Sequence, residues 1–84
     1  AFPNPFNPAT RLQYSLKGPG HLTLKVYNLR GQLVRTLLDG PVPGSGQISW
    51  DGTGDNGSPV ASGVYFSEAR WGGEVRVTKM ALIK

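Results

Sequence analysis

Apolar and polar residues alternate along much of the chain, and this alternation is typical of strands that bury one face. Residues 21–28 show it most clearly, and residues 11–16 repeat it. We therefore predict a half-buried strand in each segment. The apolar faces of these two strands consist of Leu12, Tyr14, Leu16, Leu22, Leu24 and Val26.

The segment 32–38 fits two kinds of secondary structure. Its apolar residues match a helical stripe as well as they match a bulged strand. These residues are Leu33, Val34, Leu37 and Leu38. The segment is short for a helix, and glycines lie near both of its ends. We therefore predict a strand and leave its inner face unassigned.

Three further strands are predicted in the second half of the chain. Ile48 and Trp50 alternate with polar residues over 47–50, and the next strand covers 63–71. The last strand covers 74–84 and contains an apolar run that hides its inner face. This run consists of Met80, Ala81, Leu82 and Ile83. A continuous apolar run predicts burial on both faces or a bulge.

Glycine and proline mark the connections between these strands. The predicted turns and loops cover residues 17–20, 28–31, 39–46, 51–59 and 72–73. The 12 Gly and 7 Pro among 84 residues agree with short strands joined by tight turns. Turns at roughly every 8–12 residues are typical of a small antiparallel β-sandwich. We therefore predict an all-β fold in one domain, residues 1–84.

The first ten residues, AFPNPFNPAT, contain three prolines, which exclude a helix and interrupt a strand ladder. We predict that residues 1–10 form a stiff, extended leader that lays Phe2 or Phe6 on the core. The alternative is a disordered linker end, but two phenylalanines within six residues argue for the packed leader.

Composition excludes most catalytic and metal sites. The chain has no Cys and one His, which excludes thiolate zinc sites, cysteine nucleophiles and multi-histidine sites. Asp51 and Asp55 are expected to bond to turn backbone, with a weak surface ion as the alternative. Their loop lacks the Gly and Glu of a helix-loop-helix calcium site. Glu68 and Glu74 are interpreted as solvated turn residues. We expect no enzyme activity and no cofactor.

The net charge of +4 arises from nine basic and five acidic residues. The basic residues are scattered, with no basic run and no interleaved aromatic motif, so we expect no nucleic-acid partner. We interpret them as a solvated sheet face and as cations that protect sheet edges. A basic surface also favours weak, salt-sensitive encounters with acidic glycans or lipid headgroups.

Four blocks occur in order along the chain: PNPFNPAT, LKVYNLRGQLVRTL, WDGTGDNGSPVASGVYF and KMALIK. Together they resemble the type A C-terminal sorting domain of the bacterial type IX secretion system. That domain is similar to the immunoglobulin-like domain of flagellar hook-capping proteins. The resemblance implies an immunoglobulin-like antiparallel β-sandwich of about seven strands. It also implies a non-catalytic domain that directs a larger N-terminal passenger from the periplasm through the outer membrane to the cell surface.

The same resemblance implies partners and recognition residues. The partners are the outer-membrane translocon, a surface sortase that removes the domain, and anionic lipopolysaccharide. The residues that carry the family's motifs here are Pro3, Asn4, Pro5, Gly63, Tyr65, Lys79, Met80, Leu82 and Lys84. Many members have a bulky residue where Ser67 stands, so the inner face of that strand is expected to pack differently.

The last strand is the expected contact with a receptor. If it lies at a sheet edge, its free backbone groups can pair with a receptor strand or with a second copy. Lys79 and Lys84 would then provide charge complementarity, and Met80, Leu82 and Ile83 would anchor the segment. The plain alternative is that this strand only closes the sandwich.

Two other functions stay open at this point. The domain is alternatively a structural immunoglobulin-like spacer or assembly unit, or a carbohydrate-binding module that uses Trp71, Tyr65 and the basic face. We expect KMALIK to be a true C-terminus, which favours sorting over a spacer. Trp50 is expected in the core, Trp71 half exposed, and the Tyr65 hydroxyl bonded to a preceding corner.

Overall fold

The structure is a computed structural model that describes residues 10–83. This part of the chain forms six strands and no helix. The strands are β1 (Thr10–Tyr14), β2 (Gly20–Asn28), β3 (Leu33–Val42), β4 (Gly46–Trp50), β5 (Gly63–Trp71) and β6 (Glu74–Leu82). β1 pairs with β4 in a small sheet, and the order β3-β2-β5-β6 forms a larger one. All pairs are antiparallel, which confirms the predicted all-β fold.

The core lies between the two sheets and is centred on an aromatic pair. Trp50 is 1% exposed, and its ring meets that of Tyr65 edge to face at 5.1 Å and 72°. Leu22, Leu24 and Val26 are buried, as their alternation predicts. Side chains from both sheets thus meet in one interior, because each strand turns its apolar face inward.

β3 differs from the prediction in length and in regularity. It continues to Val42, so the first four residues of the predicted loop 39–46 are strand instead. Pro41 is tolerated there because β3 is an edge strand. The register with β2 shifts twice, which leaves Val34 and Leu37 as extra residues. Both pack against the core together with Leu38, which explains why the apolar pattern fits no simple period.

β6 shows neither of the predicted irregularities. It pairs with β5 in unbroken register from Glu74 to Leu82. Met80 and Leu82 are buried while Ala81 between them is exposed, so the apolar run alternates after all. The prediction of burial on both faces or a bulge was therefore wrong. The run is continuous only because small and exposed apolar residues fill the outward positions.

The connections hold the expected local structures. Trp71 pairs with Glu74 across a two-residue turn, and Gly72 there has a φ of 60°. This value suits the first central position of a type II′ turn, which favours glycine. The Tyr65 hydroxyl donates to the Ala61 carbonyl at 2.6 Å, which confirms the tyrosine corner. The predicted packing of Phe2 or Phe6 lies outside the described residues, as does most of the leader.

Candidate functional site

The four-stranded sheet ends in β6, whose outer edge has no strand partner among residues 10–83. Its first six residues, Glu74 to Lys79, are exposed on both faces of the sheet. Val75 and Val77 are 51% and 59% exposed. A strand that is open along its edge and on both faces offers unpaired backbone groups to a further strand.

A loop covers the opposite edge of the same sheet. Asp55 accepts a hydrogen bond from the Thr36 amide at 2.9 Å and donates its own amide to the Val34 carbonyl at 2.9 Å. The Arg35 guanidinium donates to the Thr53 hydroxyl at 2.7 Å and to the Gly54 carbonyl at 3.1 Å. These bonds tie the β4–β5 loop to β3, and they satisfy backbone groups that would otherwise be open.

Asp51 stabilises the start of this loop. Its carboxylate accepts hydrogen bonds from the Thr53 hydroxyl at 2.6 Å and the Thr53 amide at 3.1 Å. These hydrogen bonds and the charge of Arg35 lower the pKa of Asp51. The expected bond to turn backbone is thus confirmed for Asp51. Asp55 differs, because its side chain bonds to Thr36 in β3 and not to its own turn.

The structure does not bring Glu68 and Glu74 together. β5 and β6 carry Glu68 and Glu74 on opposite faces of the sheet, since Glu68 pairs with Val77 while Glu74 pairs with Trp71. Glu68 instead accepts a hydrogen bond from Arg70 at 3.0 Å. Within residues 10–83 no three His, Asp or Glu side chains form a group that could hold a metal ion.

The predicted recognition residues fall into two places. Gly63 is paired with Leu82, and Tyr65 with Met80, on the inner face of the large sheet. Met80 and Leu82 are 8% and 2% exposed, so their side chains contact the core and not the solvent. The burial of these two side chains holds β6 in the sandwich.

The exposed part of the predicted recognition set is smaller. Lys79 is exposed on the outer face, where it pairs with Phe66. Ile83 is 80% exposed, and Ala81 of the same apolar run is exposed as well. Pro3, Asn4, Pro5 and Lys84 lie outside the described residues.

An open cleft lies between β1 and β6, with a volume of about 520 Å³. Its apolar lining comes from Leu12, Tyr14, Leu16, Leu22, Leu24, Trp71 and Met80. Two small residues of β5, Ser67 and Ala69, also line it. Sequence analysis noted Ser67 but missed the cleft, because the pattern along one strand does not show that two strands of different sheets stand apart.

Trp71 is half-buried, as expected, and lies at the edge of this cleft. Its indole covers Gly20 so closely that a side-chain carbon there would lie 2.5 Å from Nε1. Gly20 is therefore required by this close approach. The indole packs against the domain itself, which leaves less of its surface for a sugar ring. Among the described residues, no helix is long and apolar enough to cross a membrane.

Comparisons with known proteins agree with this architecture. The family model of the FlgD Ig-like domain matches residues 7–70, a range that includes β1 to β4 and nearly all of β5. A search of curated proteins found no match to the chain. The family match covers well over half of the 84 residues and agrees with the antiparallel sandwich described above. The domain is immunoglobulin-like and similar to that of flagellar hook-capping proteins. The chain therefore belongs to the FlgD Ig-like domain family.

Proposed function

We propose that this domain is a non-catalytic C-terminal sorting domain of the type IX secretion system. In this proposal it directs a larger N-terminal passenger through the outer-membrane translocon, from the periplasm to the cell surface. A surface sortase and anionic lipopolysaccharide are the further proposed partners. The observation that carries the proposal is the outer edge of β6, which has no strand partner within residues 10–83.

A sorting signal needs a stable body and a recognisable, accessible element. The core residues Met80 and Leu82 secure the end of β6 to the body of the domain. The preceding residues, Glu74 to Lys79, are exposed on both faces and open along one edge. A receptor strand that pairs with this edge would gain backbone hydrogen bonds without unfolding the domain.

The charge of β6 supports an acidic contact. The strand carries Arg76 and Lys79 against one acidic residue, Glu74, and all three are exposed. The whole chain has a net charge of +4. Such a surface attracts anionic partners over about one Debye length, which is ~8 Å at physiological ionic strength. This attraction would accelerate the encounter with an acidic receptor edge or with lipopolysaccharide.

The experiment is an export assay in a bacterium with a working type IX system. A periplasm-directed fluorescent reporter is fused to residues 1–84, and the same reporter with a sorting domain native to the host serves as the positive control. We expect the fusion to reach the medium or the cell surface. Retention of the folded, intact fusion in the periplasm, while the positive control is exported, would overturn the proposal.

Two variants test whether the open edge carries the signal. Val77→Asp combined with Lys79→Glu changes exposed β6 residues and leaves Met80 and Leu82 in the core. Arg30→Glu makes the same charge reversal as Lys79→Glu alone, in an exposed turn far along the chain from β6. We expect export to fail for the double variant and to persist for Arg30→Glu, with unchanged thermal unfolding in both. Equal export of both variants would show that β6 is not the signal.

Family membership favours a second candidate, a structural spacer or assembly domain. An immunoglobulin-like sandwich with one open edge can join copies by strand pairing. Sedimentation of the purified domain over a range of concentrations separates the two functions. A dimer that dissociates in the Val77→Asp variant, together with failure of export, would support assembly over sorting.

A further inference from the structure

The cleft between β1 and β6 is bordered by two strands that each have one unpaired edge within residues 10–83. β1 pairs only with β4, and β6 pairs only with β5. The cleft between them holds about 520 Å³, which is within the range of small-ligand sites. Its floor comes from β2 and β5, where Leu22 and Leu24 lie beside Ser67 and Ala69. The small residues on β5 leave room that a larger side chain would fill.

A buried serine lies on this floor. Ser67 is 5% exposed and is the polar residue among those buried in the described part of the chain. It lines the cleft. Val26 and Thr78 are its neighbours in register on the adjoining strands. A hydroxyl can donate and accept hydrogen bonds, so Ser67 offers a polar contact to a ligand that enters the cleft.

Arg76 carries a positive charge on the same inner face of the sheet. Arg76 shares the inward parity of Met80 and is opposite Ala69 in register, and it lines the cleft. It forms no ion pair with an acidic residue of 10–83. Lys79, by contrast, lies on the outer face of β6. Arg76 is therefore the basic residue of β6 whose side chain is on the cleft side.

We propose that this cleft binds an extended acidic peptide segment of a partner protein. The segment adds as a strand to the free edge of β1 or β6, and its backbone satisfies groups that are open in the free domain. Because side chains of a strand alternate, one apolar side chain enters the space above Ala69 and Ser67. A carboxylate two residues along the segment lies on the same face and reaches Arg76, with which it can form two parallel hydrogen bonds.

This inference does not rest on the proposed sorting function. An assembly domain or spacer with the same cleft would bind the same kind of peptide. A peptide is favoured over an anionic lipid because both borders of the cleft offer backbone donors and acceptors, which an acyl chain cannot use. The basic lining makes the binding sensitive to salt, in contrast to purely apolar insertion.

The test first selects, from a random dodecapeptide library, the peptides that bind the full chain. The selected peptides are then titrated into isotope-labelled protein. We expect enriched peptides that carry an apolar and an acidic residue two positions apart and that shift the resonances of Ser67, Ala69 and Arg76. Higher salt should weaken their binding. Failure to enrich any peptide, enrichment of basic peptides, or shifts elsewhere on the domain would overturn the proposal.

Three variants locate the contact. Ala69→Leu fills the space above the floor, and Arg76→Glu reverses the charge at an exposed position. We expect each to weaken binding by about tenfold or more, which is ~1.4 kcal/mol. Arg30→Glu, a charge reversal in an exposed turn, should leave affinity unchanged. Equal loss in Arg76→Glu and Arg30→Glu would indicate nonspecific charge attraction and would overturn the specific site.

Two alternative occupants give distinct results. Dodecanoate that binds the full chain more tightly than the selected peptides and shifts the same resonances would assign the cleft to an anionic lipid. Nuclear Overhauser contacts between the Phe6 ring and the Ala69 methyl group in the free protein would assign it to the chain's own N-terminal residues. Either result would overturn the peptide proposal.

Discussion

The two edges of the four-stranded sheet differ in how far the rest of the chain covers them. At β3, the loop that follows β4 supplies Asp55, Thr53 and Gly54 as hydrogen-bond partners. At β6, no strand or loop of residues 10–83 bonds to the outer edge, and six consecutive residues are exposed. One edge is closed by the chain's own loop, and the other is open to a partner.

This difference separates stability from interaction. An open edge invites aggregation, so domains protect edges with loops, charges, prolines or bulges. β3 uses several of these devices, with two bulges and Pro41 in addition to the loop. β6 has only charged side chains, Arg76 and Lys79 among them, and keeps an unbroken register. Such an edge is soluble and can still pair with a strand of suitable charge.

The largest expected effect is in the closed part of the molecule. Leu24 is 4% exposed and pairs with Leu38 of β3 and Ala69 of β5. Leu24→Ala should lower the free energy of unfolding by roughly 2–4 kcal/mol, because it removes buried contacts and leaves a cavity. The exposed Val77→Ala on β6 is the matched control and should change it by less than about 0.5 kcal/mol. Urea unfolding measures both, and equal losses would contradict the contrast between the edges.

A moderate effect is expected where the loop covers β3. Asp55→Ala removes the acceptor of the Thr36 amide and should cost about 1–2 kcal/mol. The Thr36 amide should also exchange its hydrogen faster with solvent. Glu74→Ala is the corresponding acidic change on β6, and it should leave stability nearly unchanged. If Asp55→Ala left both stability and exchange unaltered, the loop would not protect this edge.

The smallest effect is a pH dependence at Asp51. Its pKa is lowered in the folded state, mainly by the hydrogen bond from the Thr53 hydroxyl. The ionised carboxylate therefore adds stability above the ordinary aspartate value, ~3.9, and this contribution is lost as pH falls through the lower folded-state pKa. Asp51→Asn cannot ionise, so the stability advantage of the natural protein should shrink as pH decreases from 6 to about 2. Urea midpoints measured across that range test this. A difference that stays constant would rule out the titration of Asp51 as its source.

Much of the fold follows from local pattern, and the exceptions have identifiable causes. The faces of β2, the hairpin turn before β6 and the tyrosine corner were all predicted. The extension of β3 to Val42 was missed because Gly40 and Pro41 are typical loop residues. An edge strand tolerates them, but edge position is a property of the assembled sheet.

The candidate sites show the same division between what local sequence predicts and what the assembled sheet decides. The recognition residues taken from the resemblance include Met80 and Leu82, which the fold buries, and Lys79, which it exposes. Local sequence could not show which residues of the apolar run from Met80 are buried, because no polar residue in the run marks the outward positions. Arg76 and the cleft were missed for a related reason. Their importance depends on the distance between β1 and β6, which belong to different sheets.

The sequence by itself determined the all-β class, most strand positions and the inward faces of the regular strands, because alternation and turn residues act over a few neighbours. Only the tertiary structure decided which edge is open, which apolar residues are buried and where a cleft remains. Those properties depend on contacts between segments far apart in the chain. The loop from β4 reaches β3, while β1 and β6 stay apart, and no local pattern records either fact.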